Sequence, residues 1–491
     1  MATDRTTGPM PMALREGVRY ISIAIFPVLA LASVANAQTS SVGGAEKLSY
    51  GVDAGIGETD NVALASTRKV SQTITTVEVD FDVTHRSRRL DVDAKGDFTD
   101  FDYLEGAFGN QLLGRFDGTA HFALIPQRLT WVLQDDFGQA ALDPFAPATP
   151  GNLESINYVS TGPDLALRMG GTGFVDMSLR VAHADYQTSP FNSSRVLGSL
   201  AAGLQLSARS TVSLNGVAER VLFANTTVNG DFNRTSAYAH YEIHGARTDL
   251  SVELGATKIT QNASSGTSTI IIGPNNLPIL VPVTIPQSAY STTGPLARIS
   301  ATRKLSSTAS LTLSGGRELT DGISNFSSIQ GGAIGIVGTL PAVMTSSSYT
   351  RNFASVGWQY ERNRTKIGIS GNWERDIYVS QPQFDVTHGG VEVNVGRKLS
   401  RAFAVQVIGR YGKSDYIHGD LLKLLGAPKF DDGLVAAALT WRHGRALEVR
   451  FRAEHSNRTS TPAGFGYQEN RVFLTIGYRP QPDKSNDSPE A

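Results

Sequence analysis

Apolar and polar residues alternate along most of this chain. Between residues 75 and 84, Val77, Val79, Phe81 and Val83 are interleaved with Glu78, Asp80 and Asp82. Residues 90–98 continue the pattern, with Leu90, Val92, Ala94 and Phe98 set against Asp91, Asp93, Lys95 and Asp97. Later, Ile367, Ile369, Trp373, Ile377 and Val379 alternate with Lys366, Ser370, Asn372, Glu374 and Asp376. Leu447, Val449, Phe451 and Ala453 alternate with Glu448, Arg450, Arg452 and Glu454. A period of two is that of a β-strand, whose successive side chains point to opposite faces. One face of each segment suits hydrocarbon and the other suits water. The segments run about 10 to 16 residues, longer than the ~5–6 residues typical of soluble sandwiches and matched to tilted strands that cross a bilayer.

The breaks between segments alternate in kind. Tight connections fall near His85–Arg89, Ile125–Arg128, Gly170–Gly173, Ser207–Ser210, His244–Arg247, Lys304–Thr308, Glu361–Thr365, Lys398–Ala402 and His443–Ala446. Between them lie connections of unequal length, near 58–70, 104–108, 141–154, 188–192, 226–231, 262–286, 320–347, 380–384, 418–429 and 459–464. Short turns at one end and variable loops at the other are what a barrel threaded from the periplasm produces. The prediction is an all-β fold: one large transmembrane antiparallel β-barrel of about 20 strands (18–22) over residues 47–479, with short periplasmic turns and long extracellular loops. Both ends of the barrel fall on the tight-turn side. Aromatic residues sit toward strand ends: Tyr50, Phe98, Phe101, Tyr103, Trp131, Tyr158, Tyr186, Tyr349, Trp358, Tyr360, Tyr378, Tyr411, Tyr416, Trp441, Tyr467 and Tyr478. Some of them are expected in interfacial girdles.

The first residues add a compartment. Arg15 and Arg19 precede an apolar run from Tyr20 to Val34, and Ala35-Asn36-Ala37 is a small-residue cleavage site. Residues 1–37 therefore read as a signal peptide cut after Ala37, with Met12 as an alternative initiator. The run is short of the ~20 residues of a spanning helix, and Pro27 interrupts it. Residues 38–46 form a lead-in and 480–491 a polar tail. No later apolar run is long enough for a spanning helix, so membrane residence requires a closed barrel. The expected location is the bacterial outer membrane, with its lipids and the barrel-assembly machinery as partners. Because Val472, Leu474, Ile476 and Tyr478 are followed by Pro480 and the tail, the assembly signal is expected inside the chain, near Phe473 and Tyr478. A net charge of −1 gives no reason for a nucleic-acid partner. The absence of cysteine excludes disulfides and thiolate metal sites.

Candidate function then rests on the water-facing wall. The lumen-lining candidates are Glu78, Asp80, Asp82, Asp91, Asp93, Asp97, Lys366, Glu374, Asp376, Glu448, Arg450, Arg452 and Glu454. They can line a hydrated path or pair across strands, at roughly 0.2–1 kcal/mol per pair. A barrel this wide cannot be filled by wall side chains alone. Two connections are unusually apolar. No charge occurs from Ile259 to Ala297, which contains Ile271 and Leu277, nor from Gly322 to Thr350, which contains Ile334 and Ile336. Those four residues are the gating-loop candidates; the bland alternative is a hairpin that lengthens the wall. No catalytic residue, cofactor site or metal site is expected. His240 and His244 share a strand face but lie roughly 13 Å apart, and no nucleophile motif of the hydrolase kind is present. Nor is a plug domain, passenger or periplasmic helical repeat visible in the sequence.

Several short motifs carry a resemblance. Glu58-Thr59-Asp60-Asn61-Val62 resembles the "DN" signature of the outer-membrane β-barrel porin type 2 family, which includes exopolysaccharide- and exosortase (PEP-CTERM)-associated outer-membrane proteins. Leu129-Thr130-Trp131-Val132-Leu133-Gln134-Asp135-Asp136-Phe137-Gly138 is similar to a second stretch of those proteins. So are Thr149-Pro150-Gly151-Asn152, Asn157 and Gly162-Pro163-Asp164. The motifs lie within residues 48–190. The resemblance implies a part in exporting or assembling an extracellular polysaccharide, with that polymer and periplasmic export components as partners. Three functions are compatible with the residues: an export pore, a general diffusion porin, and a surface interaction or anchoring barrel with a closed lumen.

Overall fold

In the computed structural model the described residues are 45–227, 229–264, 267–271, 280–284, 288–328, 347–417, 428–461 and 464–480. The predicted signal peptide with its cleavage residue Ala37, and most of the predicted polar tail, lie outside them. Among the described residues twenty-two strands form. The first are β1 (Ala45–Thr59), β2 (Gln72–Arg86), β3 (Leu90–Tyr103), β4 (Gln111–Ile125), β5 (Leu129–Ala141) and β6 (Leu153–Met169). Then come β7 (Gly173–Tyr186), β8 (Ser193–Ser207), β9 (Ser210–Phe223), β10 (Phe232–His244) and β11 (Thr248–Gln261). A short hairpin, β12 (Thr267–Ile271) and β13 (Leu280–Thr284), precedes β14 (Tyr290–Lys304), β15 (Ala309–Thr320), β16 (Tyr349–Arg362) and β17 (Thr365–Tyr378). The chain ends with β18 (Val386–Lys398), β19 (Phe403–Tyr416), β20 (Lys429–His443), β21 (Leu447–Thr461) and β22 (Tyr467–Tyr478).

Twenty of these strands make one sheet. Each runs antiparallel to its neighbours in sequence, with β11 joining β14 past the hairpin. β1 pairs with β2 on one side and β22 on the other, which closes the sheet and removes its edges. All nine predicted tight turns join consecutive wall strands, and the ten predicted longer connections fall between wall strands at the opposite end, the one at 262–286 carrying the β12–β13 hairpin. The strand count follows from that alternation.

Register fixes two faces. Val52 stands opposite Val79 and Tyr478, and Ile56 opposite Leu474. This face carries bare Leu, Val and Ile around the circumference: Leu214 is 71% exposed, Leu254 59%, Val435 58% and Ile476 54%. So much exposed apolar surface is compatible with lipid and not with water. The barrel therefore spans a membrane, and barrels of this kind belong to the bacterial outer membrane. No helix of the described residues is long and apolar enough to cross a membrane.

The aromatic prediction divides in two. At the tight-turn end Tyr50, Trp131, Trp441 and Tyr478 are exposed on the outer face, and Trp358 stacks on Tyr360 beside them. These form a girdle. Tyr103, Tyr186, Tyr349, Tyr378, Tyr416 and Tyr467 are instead buried on the inner face at the loop end, which removes them from any girdle. The outer wall of β2–β5 also departs from the simple pattern. Phe81, Phe98, Phe116 and Phe137 lie over one another rather than bare to lipid. Gly96 makes this packing possible, since a Cβ there would sit 2.5 Å from the Phe81 ring.

The lumen and its mouth as the candidate functional site

All thirteen predicted lumen residues lie on the inner face. Pairing shows it directly: Glu78 opposes Asp53, Asp80 opposes Asp97, Asp82 opposes Lys95 and Asp91 opposes Arg86. On the far wall Lys366 opposes Glu361, Asp376 opposes Arg351, Glu374 opposes His388 and Glu448 opposes Arg442. Alternation along each strand places Asp93, Arg450, Arg452 and Glu454 with them.

These charges are organised. A ladder climbs from strand to strand: Glu253 to Arg298 at 3.1 Å, Arg298 to Glu318 at 3.2 Å, Glu318 to Arg351 at 3.4 Å and Arg351 to Glu374 at 2.8 Å. A second set joins Arg452 and Arg471 through Glu454, and Arg471 to Glu469. A third gathers Asp53, Glu78 and Asp80, whose carboxylates converge closely enough to hold a cation. The guanidinium of Arg479 already pairs with all three. Asp53 and Arg479 are not evident from sequence because the two lie 426 residues apart in the chain. His240 and His244 serve separate neighbours, Ser251 and the pair Glu242 and Asp249.

The loop end is built differently. Inward rings form a chain from Tyr349 to Tyr378, Phe384, Phe145, Tyr416, Phe430 and Phe465, with centroid separations of 4.7–6.4 Å. Phe145 belongs to the β5–β6 loop. Tyr416 closes β19, eight strands away by the short way round. The loop therefore crosses the mouth, and this crossing fixes which face is inward. Tyr416 Oη also donates to the Pro144 carbonyl at 3.4 Å. Asn152 of the Thr149-Pro150-Gly151-Asn152 motif folds the loop. Its Nδ2 donates to the carbonyls of Asp143 (2.9 Å) and Pro147 (3.0 Å), and its Oδ1 accepts from the Asp143 N–H. The Asp60-Asn61 motif seals the barrel seam in the same way. Asn61 Nδ2 donates to the carbonyls of Ala65 and Gln468, and Asp60 accepts from the N–H and Nδ2 of Asn470.

A second element crosses from another side. After β15 the chain forms a short helix, α1 (Gly322–Ser328). Its Ile323 and Phe326 pack on Ala140, Ile156, Ala184 and Tyr186, which belong to strands six to eight positions away around the wall. Asp321, just before the helix, enters a closed ring of charges. It meets Arg195 at 2.6 Å and Arg234 at 3.2 Å, and both arginines meet Glu219, at 3.3 and 2.5 Å. Ser324 Oγ accepts from both arginines and donates to Asp321. Arg195, Glu219 and Asp321 are fully buried. Burial works to raise the Asp321 carboxyl, but Arg195 and Arg234 overcome it and hold the group well below the usual carboxylate range.

Of the gating-loop candidates, Leu277, Ile334 and Ile336 lie outside the described residues, and Ile271 is described only as the backbone end of β12. The described start of the second apolar loop does fold inward. Its anchors Asp321, Ile323 and Phe326, and the partners Arg195, Glu219 and Arg234, were not singled out from sequence. The one available signal was Asp321 standing at the border of a charge-free stretch.

No protein family matches the sequence, and no curated protein does. Solved structures are similar in fold. The copper transporter OprC shares 9% identity with a TM-score of 0.43, covering 89% of this chain and 82% of that one. The FrpB iron transporter from Neisseria meningitidis shares 9% with a TM-score of 0.42, over 88% and 82%. The siderophore receptor PirA from Pseudomonas aeruginosa shares 10% with a TM-score of 0.38, over 89% and 81%. At these values the likenesses carry no argument about the site.

Proposed function

We propose that this barrel is a gated conduit, the outer-membrane component of an exopolysaccharide export system. The observation that carries the reading is α1 held across the mouth by the Arg195–Glu219–Arg234–Asp321 ring. A diffusion porin needs a standing opening, and a buried four-charge ring is a costly way to decorate one. A conduit that opens for one cargo needs what is present here: a charge-lined wall that stays hydrated and a mouth element with its own latch. The short motifs that resemble those of the porin type 2 family, which includes exopolysaccharide-associated members, support the polymer as cargo. Two of them lie in the mouth and at the seam, where Asn152 and Asn61 each make several bonds.

The test is single-channel conductance in planar bilayers, wild type beside Asp321→Ala and beside a chain shortened between residues 322 and 347. A quiet wild type with both variants conducting is the expected result. Stable large openings in the wild type would make the protein a diffusion porin. Silence in all three, with folding verified, would favour an interaction barrel with a closed lumen.

A further inference from the structure

We infer that the periplasmic end of the lumen holds a binding recess for the anionic groups of an acidic polysaccharide. The inference rests on the conduit reading and deepens it by naming the class of cargo. The recess, about 360 Å³, is sunk into the inner wall between β16 and β21. Its floor is made by short side chains on three adjacent strands. Gly396 and Ala438 flank Gln406 in register, Ala436 stands beside Ile408, and Ala404 beside Thr440. Small residues on neighbouring strands lower the wall there, while long ones around them raise a rim.

That rim is cationic. Arg364, Lys366 and Lys398 form one side, and Arg442, Arg450 and Arg452 the other. These six basic residues line the recess against two carboxylates, Glu361 and Glu448, and Arg452 is also held by Glu454 beside it. Glu361 pairs with Lys366 at 2.9 Å, and Glu448 sits between Arg442 and Arg450 at 3.0 and 2.8 Å. Glu448 thereby fixes two guanidinium forks side by side and leaves most of their N–H donors toward the lumen. Planar forks suit carboxylate, sulfate and phosphate oxygens. Each such contact at a hydrated wall is weak. A polymer presenting one anion per sugar gains by multivalency, and the gain is screened by salt. Elsewhere round the lumen Asp82, Asp91, Asp93 and Asp97 on β2 and β3 repel the same groups, so an acidic chain is held to one side of the path. Neutral glycans find neither attraction nor an aromatic platform in the recess.

The experiment is calorimetric titration of the purified, folded barrel with polygalacturonate oligosaccharides. Neutral dextran oligomers and inorganic phosphate are the comparison ligands, each at two salt concentrations. Wild type is compared with Arg442→Gln/Lys398→Gln and with Arg442→Lys, all checked for the folded band on unheated gels. The expected result is salt-sensitive polygalacturonate binding that falls about tenfold or more in the double variant and is largely kept in Arg442→Lys. Equal binding by the double variant, or equal binding of dextran, would overturn the site. Phosphate binding as tightly as the polymer would replace it with a small-anion site and overturn the polymer assignment. Binding in detergent needs no open mouth. A recess that fails this titration and a latch that fails to open the channel are therefore separate results.

Discussion

Asp321 is the residue on which the mouth turns. Its carboxylate is out of water, and Arg195 and Arg234, with a hydrogen bond from Ser324, make that tolerable. Removing one partner from a buried pair leaves a charge uncompensated and costs about 3–5 kcal/mol. Arg234→Ala should therefore undock α1 without touching the helix. The chain has no cysteine, so a single Asn325→Cys places one thiol on α1. That thiol should react slowly with an external maleimide in the parent and far faster in the Arg234→Ala background. Equal rates would show that the ring does not hold the helix. Asp143 sets a second, pH-dependent contribution. Burial pushes its carboxyl up to about 6, against the opposing backbone N–H groups of Phe145 and Ala146. A carboxyl raised above its unfolded value of 3.8 binds more protons when the loop is seated. Seating is therefore fully favoured below about pH 4, weakens as pH rises from about 4 to about 6, and changes no further above that. Channel openings should be rarer at pH 5 than at pH 7.5, and Asp143→Asn should stay at the acid level at both. A variant that keeps the full pH response would remove Asp143 from the mechanism.

At the scale of elements, α1 has seven residues and too little helical propensity to stand alone. Packing makes it a helix: Ile323 and Phe326 are buried against the wall, and the Phe326 ring lies 3.3 Å from where a Cβ on Gly138 would sit. Phe326→Ala removes about 3–5 kcal/mol of buried contact. It should raise conductance as strongly as the loss of a latch arginine, while the barrel itself keeps its heat-modifiable gel band. No rise in conductance would mean that the charge ring suffices alone. This element could not have been read from the sequence. Seven residues give no helical period, and the receiving surface is assembled from β5, β6 and β7. The strands were legible because each carries its own alternation, and the turns because nine short breaks recur between long ones. The mouth aromatics were half legible. An aromatic at a strand end suits a lipid girdle and an inner collar equally, so residue type cannot separate them. Parity can: Tyr349 lies two residues from Arg351 and Tyr378 two from Asp376, which puts both inside with the charges. The ladders and the latch were visible only as single charges, since their partners arrive from distant strands.

For the whole molecule, one alternation decides everything at once. Because side chains change face at every residue, the outer belt and the lumen share the same strands, and adjacent positions meet opposite solvents. Leu214 and Asn215 on β9 are such a pair. Leu214 is among the most exposed apolar residues of the outer face, flanked in register by Ala239 and Ala202. Asn215 faces the lumen beside Tyr238 and Ala201, with its amide donating to Ser213. A cation on the lipid face costs about 2–4 kcal/mol at the bilayer midplane and less toward the interface. The same cation on the lumen side stays in water. Leu214→Arg should therefore lower the urea midpoint of the barrel refolded in lipid vesicles and reduce its assembly in cells. Asn215→Arg should leave both near wild type, although the two changes are adjacent and add the same charge. In detergent micelles, which deform around a charge, the gap between them should narrow. Equal losses in vesicles would mean that the two faces are not divided between lipid and water. The conduit, its latch and its anionic recess would then lose their common premise, because each depends on a lumen that is wet from the periplasmic turns to the closed mouth.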